Sequence, residues 1–78
     1  MNNDRRQRLE KIILALEEQK DELENLWNEE TTAYEHLPDS LKESRRGENM
    51  YDAINVLCSA TDDVGNVIDD LNEFINSL

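Results

Sequence analysis

The chain has 78 residues, and its 19 acidic against 8 basic side chains give a formal net charge of −11. That length holds one domain, residues 1–78, and a lone monomer of this size buries only about 60 % of its unfolded surface, which is marginal. A single cysteine and a single histidine exclude a disulfide scaffold and a zinc module.

The first expected element is a long amphipathic helix over about residues 4–36. From Leu9 the seam positions follow a 4-3-4-3 rhythm through Ile13, Leu16, Leu23, Trp27, Tyr34 and Leu37, with Lys20 and Glu30 interrupting it. A second track, offset by one residue, holds Ile12, Gln19, Leu26 and Ala33. The stripe is therefore broader than the two-position seam of a minimal coiled coil. Glu10, Glu17, Glu18, Asp21, Glu24 and Asn28 take the outer face.

A turn follows over about residues 37–44. Pro38 disfavours helical geometry at Leu37 and ends the first helix there. Ser40 with Glu43 matches a capping box, and Ser44 and Asp39 are further cap candidates. One short helical turn is expected inside the bend. Gly47 falls in the first turns of the next helix, where it costs about 1 kcal/mol relative to alanine. It allows the backbone of the bend to come close.

The second long helix is expected over about residues 45–77. Its seam runs Met50, Ile54, Leu57, Val64, Ile68, Leu71, Ile75 and Leu78, broken only by Thr61. Ala53, Ala60, Val67 and Phe74 form the flanking track. A spacing of 3.5 residues held over about four heptads predicts a left-handed supercoil. Equal helix lengths and a short connection predict an antiparallel pair. Leu9 then lies near Phe74 and Ile75, Leu16 near Ile68, Leu23 near Thr61, and Tyr34 near Met50. Arg5, Arg6, Arg8 and Lys11 would meet the half of the second helix that carries Asp62, Asp63, Asp69, Asp70 and Glu73. Such surface pairs set orientation more than stability, at about 0–1 kcal/mol each. The fold class is all-α: an antiparallel, coiled-coil-like helical hairpin.

Two helices cannot shelter stripes this wide. Tyr51 and Cys58 broaden the apolar face of the second helix, and Leu14 and Val56 fall off the seam. Exposed apolar surface of this kind marks association. The expected state is a homodimer forming a four-helix bundle, with Leu14, Val56 and Cys58 as candidate oligomer contacts. Completion of a monomer by a different protein is the alternative.

The charge argues against direct nucleic-acid binding and against docking on an anionic membrane. No apolar run approaches the roughly 18 residues of a spanning helix, and the opening Met-Asn-Asn-Asp-Arg-Arg lacks a signal-peptide core. An unpaired Cys58 fits a reducing compartment, so a cytoplasmic location is expected.

Catalysis finds no support in the residue pattern. Glycosidase-type acid–base work needs two carboxyls with unlike pKa values across one cleft. The acidic pairs here, such as Glu17-Glu18 and Asp62-Asp63, read as a solvated helix surface. A helical Glu-x-x-His metal motif fails because Ala33 stands three places before His36. Cys58 has acidic neighbours and no adjacent histidine, which blunts a thiol nucleophile. No catalytic residue, metal or cofactor is expected. Lys20, Gln19, Glu30 and Thr61 read as a polar layer that fixes register. Lys42, Arg45 and Arg46 read as local partners of Asp39, Glu43 and Glu48, with docking as a second reading.

The acidic surface is the most informative feature. The second helix has seven acids and no base after Arg46, and residues 12–41 carry nine acids and one base. A single-sign rod projects an extended negative field. Glu17, Asp21, Glu24, Asp62, Asp69 and Glu73 are the candidate partner-binding face, and Trp27, Tyr34 and Tyr51 are candidate anchors. Rows of carboxylates on a rod can imitate a phosphate backbone and occupy a nucleic-acid-binding cleft. The competing reading is solubility alone, in a structural or assembly coiled coil.

The stretch Tyr34-Glu-His-Leu-Pro-Asp-Ser-Leu-Lys-Glu-Ser-Arg-Arg-Gly-Glu-Asn-Met-Tyr-Asp-Ala-Ile54 resembles small acidic phage and prophage proteins. The shared features are a Leu-Pro-x-Ser-Leu turn, then Ser-x-Arg-Gly-Glu-x-Met and an acidic helix. The resemblance implies a non-enzymatic accessory or inhibitor that binds a host protein, such as a defence nuclease, in the host cytoplasm. It carries over no catalytic residues.

Overall fold

The computed structural model describes residues 1–78 and contains helices only. Helix α1 spans Asn3–Glu35, α2 spans Asp39–Lys42 and α3 spans Arg45–Asn76. The long helices α1 and α3 pack against each other in a rod of 58 × 15 × 15 Å. No helix is long and apolar enough to cross a membrane.

Capping fixes the helix ends. The Asn2 side-chain oxygen accepts the Arg5 backbone N–H at 2.8 Å and starts α1. The His36 backbone N–H donates to the Thr32 carbonyl, and a ring nitrogen of His36 lies 2.8 Å from the same oxygen. Pro38 occupies the N-cap position of α2 with no side-chain cap, which leaves Ser40 inside that short helix. The expected Ser40–Glu43 capping box therefore does not form. Ser44 takes the role at α3: its hydroxyl oxygen accepts the Gly47 N–H at 3.4 Å and its O–H donates to the Leu41 carbonyl.

Gly47 is buried in this corner. A Cβ there would stand 2.6 Å from the Leu41 carbonyl oxygen and closer still to that of Lys42. Only glycine lets α2 and α3 approach so tightly.

The antiparallel register is fixed by contacts at both ends. Tyr34 and Tyr51 meet beside the turn, their ring centroids 5.9 Å apart and tilted by 51°. Lys42 Nζ lies 5.6 Å from the Tyr34 ring centroid. Toward the open end Ile13, Ile68 and Ile75 form the buried core, with Leu9, Leu16, Val64 and Leu71 packed against them. The main track of each long helix is thus the seam.

The polar interruptions of the seam resolve within their own helices, not across it. Lys20 Nζ pairs with Glu24 Oε1 at 2.8 Å, and the Thr61 hydroxyl donates to the Leu57 carbonyl at 2.7 Å. Gln19 is exposed, and half-buried Glu30 has no ion-pair partner. The expected cross-helix polar layer is absent. So is the expected contact between the basic start of α1 and the acidic half of α3. All four ion pairs are local: Arg6–Glu10, Arg8–Asp4, Lys20–Glu24 and Lys42–Asp39. A partner three or four places away already lies within reach on the same helix surface.

Candidate protein-binding faces

The two sides of the hairpin follow from the register. Each helix puts the residue after a seam position on one side and the residue before it on the other. Reversing the direction of the second helix superposes like with like, so both helices send their "after" residues to the same side.

On that side α1 places Glu17, Asp21 and Glu24, and α3 places Asp62 and Asp69. Two shallow grooves between the helices record the grouping. One, of about 400 Å³, is lined by Glu17, Lys20, Asp21, Gly65, Ile68 and Asp69. The other, of about 260 Å³, is lined by Glu24, Trp27, Asn28, Cys58, Thr61 and Asp62. Five of the six candidate acids therefore share one side, and Glu73 sits on the outer rim of α3 next to it. Lys20 is the one base in this row. The Glu24 hydrogen bond and charge hold its ammonium above the usual 10.5, so it stays charged and engaged by Glu24. Its arm crosses Gly65, with Cε 3.1 Å from where a Cβ would stand. Glu17, Asp21, Asp62 and Asp69 make no ion pair.

The candidate anchors divide. Trp27 is half-buried in the groove, and its indole N–H is buried without a hydrogen-bond partner, as is the Thr31 hydroxyl. Such an orphaned donor costs about 1–3 kcal/mol. Tyr34 is half-buried, whereas Tyr51 is exposed beside it on the acidic side. Lys42, Glu48 and Asp52 complete a third groove around the two tyrosines.

The candidate oligomer contacts do not share a surface. Leu14 and Cys58 belong to the acidic side. Val56 belongs to the opposite side, in a groove with Asn55, Ser59, Ala60 and Asp63. That opposite side holds residues the sequence pattern assigned to the core. Ile12 and Leu26 of α1 and Val67 and Phe74 of α3 are all between 44 and 52 % exposed. Ala33, Ala53 and Ala60 continue the same rows toward the turn. The signal was present in the sequence as the second track of each helix, since both tracks precede their seams. Compared with protein-family models, with curated proteins and with solved structures, the chain matches none.

Proposed function

We propose that this chain is a non-enzymatic protein-binding module that associates as a homodimer, a four-helix bundle, and engages a basic surface of another protein with its acidic side. The observation that carries the reading is the gathering of Glu17, Asp21, Glu24, Asp62 and Asp69 along one side of the rod. Carboxylates spaced along a rigid helix pair present a field that attracts a cationic cleft and repels polyanions. Tyr51, exposed beside this row, supplies an aromatic contact. The resemblance to small acidic phage proteins supports an accessory or inhibitor that occupies the nucleic-acid-binding cleft of a host protein such as a defence nuclease.

The test is affinity capture from a bacterial lysate on the immobilised chain, with duplex DNA as competitor. The expected captured proteins are basic nucleic-acid binders, released by DNA and lost between about 0.05 and about 0.5 M salt as screening shortens the field. The triple variant Asp21→Lys, Asp62→Lys, Asp69→Lys is expected to capture none of them. Capture that survives both salt and charge reversal refutes the electrostatic reading and leaves the assembly-subunit reading, in which the acidity serves solubility.

A further inference from the structure

We infer that the apolar side of the hairpin, built on Ile12, Leu26, Val67 and Phe74, is the seat of a second copy of this chain, stacked with its turn at the opposite end. The inference rests on the proposed homodimer and names its face and orientation.

The area fits. A compact 9.1 kDa monomer has about 4,900 Å² of accessible surface by the scaling of area with mass, so the 5938 Å² observed leaves an excess of roughly 1,000 Å². A stable interface covers about 800 Å² on each partner. One long side of a 58 by 15 Å rod projects about 870 Å², which is of that size.

The chemistry selects the side. The other long side carries the unpaired carboxylates of Glu17, Asp21, Asp62 and Asp69, and two such rows repel each other. The apolar side has no charge in its central row between Arg5 and Arg46, and its carboxylates, Glu22, Glu29, Asp63 and Asp70, stand on the outer flanks of that row.

Side-chain size selects the orientation. Facing residues across the hairpin have numbers that sum to about 85, as Tyr34 with Tyr51 and Lys20 with Gly65 do. Ile12 therefore shares a level with Phe74, and Ala33 shares one with Ala53. Stacking two copies with turns together sets two Ile and two Phe in one layer and four Ala in another. A straight bundle with helix axes about 8–10 Å apart cannot hold both layers. With turns at opposite ends, Ile12 and Phe74 of one copy lie over Ala33 and Ala53 of the other. Gln19 and Val67 likewise lie over Leu26 and Ala60. Every layer then mixes large and small side chains, as close packing requires. The two-fold passes near Glu22 and Asp63, which meet their own copies at the rim. Each dimer carries its acidic rows on its two outer sides and is a bivalent ligand.

Sedimentation equilibrium of the full chain reads the mass, with a disulfide trap for orientation. The expected mass is twice 9.1 kDa, with the dimer fraction rising as salt screens the rim carboxylates, opposite in sign to partner capture. The variant Leu26→Glu, Val67→Glu is expected to lose the dimer while its helical circular dichroism persists. Leu14→Glu, on the acidic side, is expected to keep it. In a Cys58→Ser background, chains with Ile12→Cys mixed with chains with Ala33→Cys are expected to cross-link. A dimer that survives Leu26→Glu, Val67→Glu, or that cross-links through Ala33→Cys mixed with Ala53→Cys instead, overturns the face or the orientation while the homodimer reading stands. A monomer at all concentrations and salts overturns the homodimer reading itself. Neither result bears on the acidic side, whose charge-reversal variant reports separately.

Discussion

Replacing Gly47 by alanine adds one methyl group at the corner where α2 meets α3. Elsewhere in a helix that exchange is favourable by about 1 kcal/mol. Here the methyl carbon would sit 2.6 Å from the Leu41 carbonyl oxygen and nearer to the Lys42 carbonyl, contacts that only a backbone shift can relieve. Overpacking of this kind costs about 1–3 kcal/mol. The shift also pulls Gly47 N–H from the Ser44 cap, worth about 1 kcal/mol. The balance is a net loss of about 2 kcal/mol, which lowers Tm by about 8–16 °C in a domain of this size. Gly65→Ala is the internal control, because its Cβ would meet only the flexible arm of Lys20. It recovers about 0.5–1 kcal/mol of helix propensity and raises Tm by about 2–8 °C. Thermal melts followed by helical circular dichroism, at one chain concentration, measure both. A Gly47→Ala chain that melts at or above the parent temperature refutes the packing of the corner as described.

Ile68→Ala removes one of three buried core side chains and is expected to cost about 2–4 kcal/mol in urea unfolding, while Leu14→Ala, on an exposed site, stays within about 0.5 kcal/mol. Thr61→Val is expected to be neutral or stabilising by up to about 1 kcal/mol, because the hydroxyl serves only its own helix at Leu57; a loss above that size in the same assay would show a role across the seam. Lys20 has a folded-state pKa above 10.5, so the stability it lends is complete below 10.5 and is lost as pH rises through the raised value. The stability difference between the parent and Lys20→Met is expected to be flat from neutral pH up to that point and to shrink above it, and a difference that grows with alkaline pH contradicts the Glu24 contact.

The long helices were legible because hydrophobic spacing is a property of the chain itself. Leu9, Ile13 and Leu16 repeat at helical intervals against Ile68, Leu71 and Ile75, and Pro38 marks the break between the two runs. The bend was less legible. Ser40, Ser44 and Asp39 all satisfy the local rule for a cap, and choosing among them requires knowing that Pro38 already occupies the N-cap position of α2. The polar seam residues misled for a related reason. A lysine or threonine on a seam suggests a partner across it, but Glu24 and the Leu57 carbonyl were nearer along the same helix. At the candidate site, the grouping of Glu17, Asp21 and Glu24 with Asp62 and Asp69 depends on register, which spacing on one helix does not specify. The same dependence separated Leu14 and Cys58 from Val56.

What turns a plain rod into a two-sided one is a single offset repeated on both helices. Ile12, Leu26 and Ala33 precede the α1 seam by one residue, and Ala53, Ala60, Val67 and Phe74 precede the α3 seam by one residue. In a parallel pair those two tracks would fall on opposite sides, each facing the other helix's acids. The antiparallel turn at Pro38 and Gly47 brings them to one side and collects the acids on the other. Only one large core cluster forms, at the open end of the rod, and the turn half is held by tyrosine and capping contacts. Hydrophobic stabilisation scales with apolar area removed from water, and Ile12, Leu26, Val67 and Phe74 still expose about half of theirs. Covering that side adds stability where the core is thinnest, because Leu26, Ala33, Ala53 and Ala60 flank the turn half. In the proposed dimer the acids gain from the same arrangement: with the apolar sides turned inward, the carboxylate rows would be the surfaces left to meet the proposed partner.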